Sequence, residues 1–246
     1  MLRAVLGRLG IYQPVRNAYQ RVLRPNAAAH RQRIRTFFGQ FVRHGDLVFD
    51  IGANDGRYTG IFLELGAKVV AVEPNPSLAR ILRERFRAEV EEMAVGAEPG
   101  FAELHLAEVD ILSTLSTDWM DIARREQLSN EWSGETITVS VSTLDALIAC
   151  HGVPSYVKID VEGYEPQVLR GLSQAIATVS FEVQGPALQM AADCVSILDQ
   201  FAPYVFSVSP LDHHDLATEW LPGARLLERL PALLRNGHGD VFARLA

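Results

Sequence analysis

Short apolar runs alternate with amphipathic stretches along most of the chain after residue 46. An apolar run of four to eight residues predicts a buried strand, whereas apolar positions at three- and four-residue steps predict a helix. Strands are predicted at residues 47–51, 68–74, 90–96, 155–163, 177–185, 204–210 and 239–245, and helices at 57–65, 77–89, 143–150, after 163 and at 186–201. This order predicts an α/β fold with a mostly parallel sheet of seven strands and helices on both faces.

The middle of the chain interrupts this alternation. Residues 101–107 and 136–142 alternate apolar and polar side chains, which is typical of half-exposed antiparallel strands. We therefore expect a β-hairpin-like insert at residues 101–142. About 28 mostly polar residues separate its two strands, and a connection of that length is usually a functional lid or a mobile segment.

Residues 1–45 are predicted to be a helical extension that precedes the main domain at 46–246. Apolar residues recur with helical spacing between Leu2 and Leu23, and most arginines lie off that stripe. Pro14 would bend or split such a helix. One interpretation is that the stripe packs on the main domain, and the other is that the basic helix contacts an anionic membrane or a partner.

The charge distribution is uneven. The first 45 residues contain nine arginines and no acid, which leaves 14 bases against 30 acids in the rest of the chain. That acidic body would repel nucleic acid, so we expect no nucleic-acid partner. The sequence has no run of 18 consecutive apolar residues, so it predicts no membrane-spanning helix. The two cysteines are too few for a disulfide framework, which favours a cytoplasmic protein, with membrane association as the alternative that the basic extension leaves open.

The segment "VFDIGANDGRYTG", residues 48–60, carries the most specific chemistry. Asp50 ends the first predicted strand, and Gly52 and Gly56 follow in the loop. Open α/β sheets bind ligands at the carboxyl ends of their strands. Glu73 ends the next strand, 23 residues later, where a carboxylate can hydrogen-bond the hydroxyls of a ribose.

The loop favours one kind of nucleotide. A dinucleotide site needs G-x-G-x-x-G for its pyrophosphate, but here Asn54 stands at the middle glycine and Asp50 would repel a phosphate. A nicotinamide dehydrogenase is therefore disfavoured. A cofactor that has a ribose, no phosphate and a cationic centre fits better, and S-adenosylmethionine has these properties.

The segments "VFDIGANDGRYT", "VVAVEPNP", "AVG", "VSTLDAL", "YVKIDVEGYEPQVLRG" and "VSFEVQG" together resemble the FkbM-type methyltransferases over residues 47–185. The resemblance implies the Rossmann-like sheet of a class I methyltransferase. It also implies transfer of a methyl group from S-adenosylmethionine to a hydroxyl of a small molecule, sugar, glycolipid or polyketide. The implied cofactor-binding residues are Asp50, Gly52, Asn54, Gly56 and Tyr58 in the loop, Glu73, Pro74 and Asn75 at the ribose, and Glu92 and Met93 near the adenine.

The sequence departs from the family pattern at three places. The family often has an asparagine near the adenine, where this chain has Glu92 and Met93. Glu92 either accepts a hydrogen bond from the adenine or is a solvated acid at the end of a strand. Tyr164 and Gln184 stand where histidines are common, so a catalytic use of those histidines is in doubt.

Carboxylates follow the fourth and fifth parallel strands. We expect Asp160, Glu162 and Glu182 to face the acceptor, with one of them as the general base. Glu162 and Glu165 could instead stabilise the start of a helix, and Lys158 would pair with these acids. The pair His213 and His214, followed by Asp215, has no third ligand at useful spacing, so no metal is expected there. Asp160 and Glu182 could still recruit magnesium.

Two function classes follow. The first is an S-adenosylmethionine-dependent O-methyltransferase, and the second is a non-catalytic docking or regulatory protein with the same fold. The complete loop from Asp50 to Gly56 and the presence of Glu73 favour the enzyme.

Overall fold

The computed structural model describes residues 27–107, 113–126, 132–235 and 237–246. The apolar stripe that the sequence predicts between residues 2 and 23 lies outside this range. The strands are β1 Leu47–Ile51, β2 Lys68–Val72, β3 Glu89–Glu91, β4 Ala94–Val95, β5 Gly100–Ala107, β6 Trp132–Ser142, β7 Tyr156–Ile159, β8 Thr178–Gln184, β9 Tyr204–Pro210 and β10 His238–Leu245. The helices are α1 Ala27–Phe38, α2 Arg57–Glu64, α3 Pro76–Arg85, α4 Thr117–Arg125, α5 Leu144–His151, α6 Glu165–Arg170, α7 Leu188–Asp199 and α8 Gly223–Leu233.

Seven strands form the central sheet, in the order β3-β2-β1-β7-β8-β10-β9. The first five strands of this order are parallel to one another, and β10 runs antiparallel to both of its neighbours. The predicted α/β fold with a mostly parallel seven-stranded sheet is therefore confirmed. The order of the strands reverses between β1 and β7, and crevices at such switch points are where open sheets bind ligands.

Helices cover both faces of the sheet, as the alternation of side chains along a strand requires. Val48 packs in one apolar cluster with α1 and α2, while Phe49 and Ile51 pack in a larger cluster with α5 to α8. In the described ranges, no helix combines the length and the apolarity needed to cross a bilayer.

The structure divides the predicted strand at 90–96 into two. β3 lies at the edge of the central sheet, whereas β4 pairs with β6 in a separate three-stranded sheet with β5. The chain changes sheets at Glu92 and Met93, a step that an unbroken apolar pattern does not reveal. β5 and β6 pair antiparallel, as predicted.

Two helices are absent from the sequence prediction. α4 lies inside the polar insert, where the Ser116 hydroxyl caps it by accepting a hydrogen bond from the Trp119 backbone N–H at 3.0 Å. α8 contains Pro231 near its end and buries Leu226 and Leu230 against the sheet. A proline inside an apolar pattern argues against a helix, which explains why the pattern alone did not predict α8.

Helix α1 is part of the main domain in this structure. Ile34, Phe37 and Phe38 are buried, and they pack with Phe62 of α2 and Tyr156 of β7. The apolar stripe between Leu2 and Leu23 lies outside the described residues, so its packing on the main domain stays a prediction. Membrane contact through the residues before 27 stays a prediction.

We expect Phe38→Ala to lower the free energy of unfolding by about 3–5 kcal/mol, because the ring is fully buried and its removal leaves a cavity. Urea denaturation followed by circular dichroism measures the change. Phe101→Ala is the matched control, since that ring is 81% exposed and its loss should change the stability by less than about 0.5 kcal/mol. Equal stabilities for Phe38→Ala and Phe101→Ala would contradict the packing of α1.

Candidate active site

The register of the central strands brings charged residues to one edge of the sheet. Asp50 of β1 pairs with Lys158 of β7, which pairs with Ser180 of β8. Ile159 pairs with Phe181 at the end of the same ladder, so Asp160 and Glu182 follow one residue later on neighbouring strands. Because neighbouring strands lie about 4.8 Å apart, these two acids are close to each other.

Lys158 carries the positive charge at the centre of these strand ends. Its side chain is 1% exposed, and its Nζ atom donates a hydrogen bond to Asp160 Oδ2 at 2.6 Å. The same Nζ lies 4.3 Å from the centre of the Tyr58 ring. Burial acts to lower the pKa of Lys158, but attraction from Asp160, Asp240 and Asp50 outweighs it and raises that pKa well above its ordinary value. Lys158 is therefore a fixed positive charge.

The glycine loop lies directly against the β7 exit. Gly52 has a φ of 79°, and a Cβ atom at this position would overlap the Asp160 carbonyl oxygen. The N–H groups of Gly52 and Ala53 both donate to the Val72 carbonyl oxygen at 3.0 Å. A side chain at residue 52 would thus push the loop away from both neighbouring strand ends.

Asp50 lies below this loop. It is buried, and its Oδ2 atom accepts a hydrogen bond from the Thr59 hydroxyl at 2.6 Å. Burial raises the pKa of Asp50, although Lys158 and Thr59 act in the opposite direction. In this structure Asp50 ties β1 to the first turn of α2, which begins after Gly56 with its φ of 80°.

Glu73 is fixed by two backbone hydrogen bonds. Its Oε2 accepts from the Asn54 N–H and its Oε1 accepts from the Asn75 N–H, both at 2.8 Å. Asn75 in turn caps α3 by accepting a hydrogen bond from the Ser77 N–H. The carboxylate is 6% exposed and its orientation is set before any ligand arrives.

A cavity opens above these strand ends. Its walls enclose about 570 Å³ of empty space when the part that is open to solvent is included. The central sheet and the insert both contribute to its lining, which is Ile51, Gly52, Asn54, Val72, Glu73, Pro74, Met93, Ala94, Val95, Leu104, Ser113, Thr114, Leu115, Asp160, Val161, Glu162 and Tyr164. The lining combines apolar side chains with the carboxylates of Glu73, Asp160 and Glu162.

The insert is attached to the loop that follows β7. The Thr114 hydroxyl donates a hydrogen bond to the Glu162 carbonyl oxygen at 2.7 Å. Trp119 is buried and packs so closely on Gly163 that a Cβ atom there would overlap it. This contact anchors the insert on the loop that follows β7.

Glu162 and Gly163 both have positive φ angles, 53° and 86°. The conformation is uncommon for a residue with a Cβ atom, and such residues cluster at functional sites. It places the Glu162 side chain beside Asp160 and Glu182, and carboxylate oxygens of these three residues lie within 4.8 Å of one another. The Oε2 atoms of Glu162 and Glu182 are buried and have no hydrogen-bond partner among the described residues.

Burial raises the pKa of both Glu162 and Glu182 well above the ordinary value, and repulsion from Asp160 adds to this effect. Glu165 is buried below them, and its Oε1 accepts hydrogen bonds from the N–H groups of Val161 and Gly163. Burial raises the pKa of Glu165 to about 7. The region therefore holds more carboxyl groups than Lys158 can neutralise.

The structure brings together part of the predicted site. Gly52, Asn54, Glu73, Pro74, Met93, Asp160 and Glu162 line the cavity, and Glu182 joins the acidic group. Four of the predicted residues lie next to the cavity without lining it, namely Asp50, Gly56, Tyr58 and Asn75. Glu92 also lies outside it, and its Oε2 accepts a hydrogen bond from Arg83 at 2.6 Å.

The insert contributes four residues to the cavity lining that the sequence did not single out individually. Leu104, Ser113, Thr114 and Leu115 come from a stretch in which only the run of serines, threonines and leucines gave a signal. The pair His213 and His214 does not assemble with other ligands in the described part of the chain. His214 is buried, and its ring lies against those of Phe37 and Phe38.

A model of the methyltransferase FkbM domain matches residues 50–214, which include the glycine loop, the acidic strand ends and the insert. The chain belongs to the FkbM methyltransferase family. This membership confirms the predicted family, and with it the prediction of a methyltransferase domain that uses S-adenosylmethionine.

The chain is similar to two curated methyltransferases of this kind. It is 32% identical over 167 residues to the 31-O-demethyl-FK506 methyltransferase FkbM of Streptomyces tacrolimicus, a match that covers 56% of this chain and 63% of that protein. It is 28% identical over 143 residues to the hexuronic acid methyltransferase AglP of Haloferax volcanii, covering 56% of this chain and 54% of that protein. The matched part of the chain thus spans less than two thirds of either relative.

The chain is also similar to solved structures. An O-methyltransferase from Bacillus cereus superposes with a TM-score of 0.44 at 12% sequence identity, over 89% of this chain and 81% of the other.

Glu165→Gln tests the burial of the acids below the cavity. The pKa of Glu165 is about 7 in the folded protein against an ordinary value of 4.5. The proton on Glu165 therefore stabilises the fold fully below pH 4.5, and this contribution is lost as the pH rises through 7. Glutamine keeps a neutral side chain at every pH. We expect the stability of the variant relative to the wild type to rise by about 2–3 kcal/mol between pH 5 and 8.

Urea denaturation at several pH values measures this difference. Glu84→Gln serves as the control, because Glu84 is exposed on α3 and its replacement should leave the pH profile of the wild type. A profile for Glu165→Gln parallel to that of the wild type would show that Glu165 titrates normally.

Proposed function

We propose that the chain is an S-adenosylmethionine-dependent O-methyltransferase that acts on a hydroxyl group of a sugar, a glycolipid or a polyketide-type small molecule. One observation carries the proposal. The same cavity is lined by the glycine loop and Glu73, which suit a nucleoside, and by Asp160 and Glu162, which suit an acceptor hydroxyl.

The residues of the cavity fit the cofactor. Glu73 lines the cavity with a carboxylate that two backbone N–H groups hold in place, and a carboxylate oxygen can accept more than one hydrogen bond, which suits the hydroxyls of a ribose. Met93, Val95 and Leu104 provide apolar surface for the adenine, and Gly52 and Asn54 border the space for the methionine part. When bound, the cofactor supplies a methyl group that is activated by attachment to a cationic sulfur. The excess of carboxylates favours that cationic group.

The chain itself has two tasks in such a transfer. It must hold the acceptor oxygen near the methyl group, which is worth on the order of 7–11 kcal/mol. It must also take up the proton that the hydroxyl loses, a contribution of about 10²- to 10⁴-fold. Asp160 lines the cavity and is held in place by Lys158, so we assign it to the acceptor hydroxyl, with Glu162 and Glu182 beside it.

Two features support a hydroxylated small molecule as the acceptor. The insert lines the cavity with Ser113 and Thr114 beside Leu104 and Leu115, a mixed polar and apolar surface that suits a sugar or an oxygenated ring. The two curated relatives are named for a demethylated FK506 and a hexuronic acid, both of which are small hydroxylated compounds. The acidic body of the chain disfavours nucleic acid.

Glu73→Gln should weaken the binding of S-adenosylmethionine by about 10- to 100-fold, because the amide cannot accept both backbone hydrogen bonds and lacks the charge. Isothermal titration calorimetry with the full chain measures this affinity. In the control, Glu84→Gln on the exposed side of α3, the affinity should be that of the wild type. A folded Glu73→Gln protein with unchanged affinity would sink the assignment of the ribose site.

Asp160→Asn should reduce methyl transfer by about 10²- to 10⁴-fold while the affinity for S-adenosylmethionine changes only a few-fold. The assay follows a labelled methyl group into uronic acids, glycolipids and macrolide alcohols. Asp121→Asn, on the exposed face of α4, is the control that should keep full turnover. If the wild type binds the cofactor but methylates none of these pools, the non-catalytic docking protein becomes the better interpretation.

A further inference from the structure

The acidic group at the ends of β7 and β8 has a property that methyl transfer alone does not explain. Asp160, Glu162 and Glu182 bring three carboxylates together, and Lys158 donates a hydrogen bond to one of them, Asp160. The formal charge of these four groups is −3 + 1 = −2 when all are ionised. Buried charges are costly unless they are paired or coordinate a metal.

The unpartnered oxygens indicate that something is bound between these side chains. The Oε2 atoms of Glu162 and Glu182 are buried and lack a hydrogen-bond partner within the described ranges. A buried carboxylate oxygen normally has a partner. Two such oxygens in one group of three acids favour a ligand that can accept electron pairs from carboxylates, such as a metal cation.

The spacing of the oxygens suits a hard divalent cation. An ion with metal–oxygen bonds of 2.1 Å places its ligand oxygens about 3.0 Å apart when they are adjacent and about 4.2 Å apart when they are opposite. For bonds of 2.4 Å these separations become about 3.4 and 4.8 Å. One oxygen from each of Asp160, Glu162 and Glu182 lies within 4.8 Å of the others, so small side-chain rotations are enough to bring all three to one ion.

The neighbouring groups leave these oxygens available. Lys158 occupies only Oδ2 of Asp160, which leaves Oδ1 for an ion. Glu165 uses its Oε1 for two backbone N–H groups and does not compete. The Glu162 backbone is fixed by Thr114, so its side chain needs no rearrangement of the loop to reach the site.

We propose that Asp160, Glu162 and Glu182 form a binding site for one divalent cation of the Mg²⁺ or Mn²⁺ type. All-oxygen ligands favour Mg²⁺, Mn²⁺ or Ca²⁺ over zinc or copper. Because Asp160 and Glu162 line the cavity, the ion faces the acceptor. An acceptor hydroxyl oxygen can then complete its coordination, a role that rests on the proposed methyltransferase function, whereas the binding of the ion does not.

The test uses Mn²⁺, whose free form gives an electron paramagnetic resonance signal. The full chain, freed of metal with a chelator and desalted, is titrated with MnCl₂ in the absence of cofactor and acceptor. We expect one Mn²⁺ to bind per chain and MgCl₂ to displace it. The double variant Glu162→Gln/Glu182→Gln should bind Mn²⁺ at least about ten-fold more weakly. Mutation of a residue that only orients a metal ligand already lowers metal affinity by about 10- to 100-fold, and these two residues are ligands themselves.

Glu103→Gln is the matched control, because Glu103 is an exposed carboxylate of β5 that bonds Thr138, and it should bind Mn²⁺ like the wild type. Thermal unfolding with and without MgCl₂ guards against misfolding. The ion should raise the midpoint of the wild type and of Glu103→Gln but not that of the double variant, whose metal-free midpoint should match the wild type or exceed it.

Absence of Mn²⁺ binding by the wild type would overturn the site, as would retention of full affinity by the double variant. Calorimetry with S-adenosylmethionine on the same metal-free protein separates this proposal from the proposed function. Cofactor binding without Mn²⁺ binding removes the cation site alone. Mn²⁺ binding without any cofactor affinity removes the methyltransferase function and leaves the cation site in place.

Discussion

The buried ion pair between Lys158 and Asp160 determines how the carboxyl edge of the sheet is arranged. A lysine that is 1% exposed in the middle strand of a sheet must have a carboxylate within reach, because an unpaired charge there would cost several kcal/mol. Asp160 supplies this carboxylate at 2.6 Å. The pair therefore holds Asp160 at the floor of the cavity, and Tyr58 closes the other side of the ammonium group.

This arrangement depends on the close approach of two loops. Gly52 can contact the Asp160 backbone only because it has no side chain and tolerates a φ of 79°. On the opposite side, Thr114 and Trp119 hold the turn at Glu162 and Gly163 in its left-handed conformation. The cavity is thus formed jointly by the central sheet and by the insert.

The sequence predicts those parts of the site that depend on the ends of parallel strands. Strand periodicity placed Gly52, Glu73 and Asp160 at one edge, and the register of the sheet brings them to one cavity. Contacts that depend on a change of direction were not predictable. The chain leaves the central sheet between β3 and β4, so Met93 lines the cavity, whereas Glu92 turns to Arg83.

The insert shows a second limit of pattern reasoning. Its polar sequence is consistent with a loop, but one amphipathic turn around Trp119 is sufficient to nucleate α4 once Gly163 offers a surface without a side chain. That surface exists only after β7 has joined the sheet. A helix that forms because of a tertiary contact leaves little trace in local propensity.

The acidic group costs stability that a purely structural edge would avoid. Asp160 and Glu182 follow adjacent strands with like charge, and Glu162 adds a third carboxylate from a strained backbone conformation. Apolar or hydrogen-bonded side chains would stabilise the fold better at positions 162 and 182. Because two of these acids line the cavity, a ligand bound there can offset this cost. Neutralisation of the group by positive charge from that ligand is the simplest source of the offset.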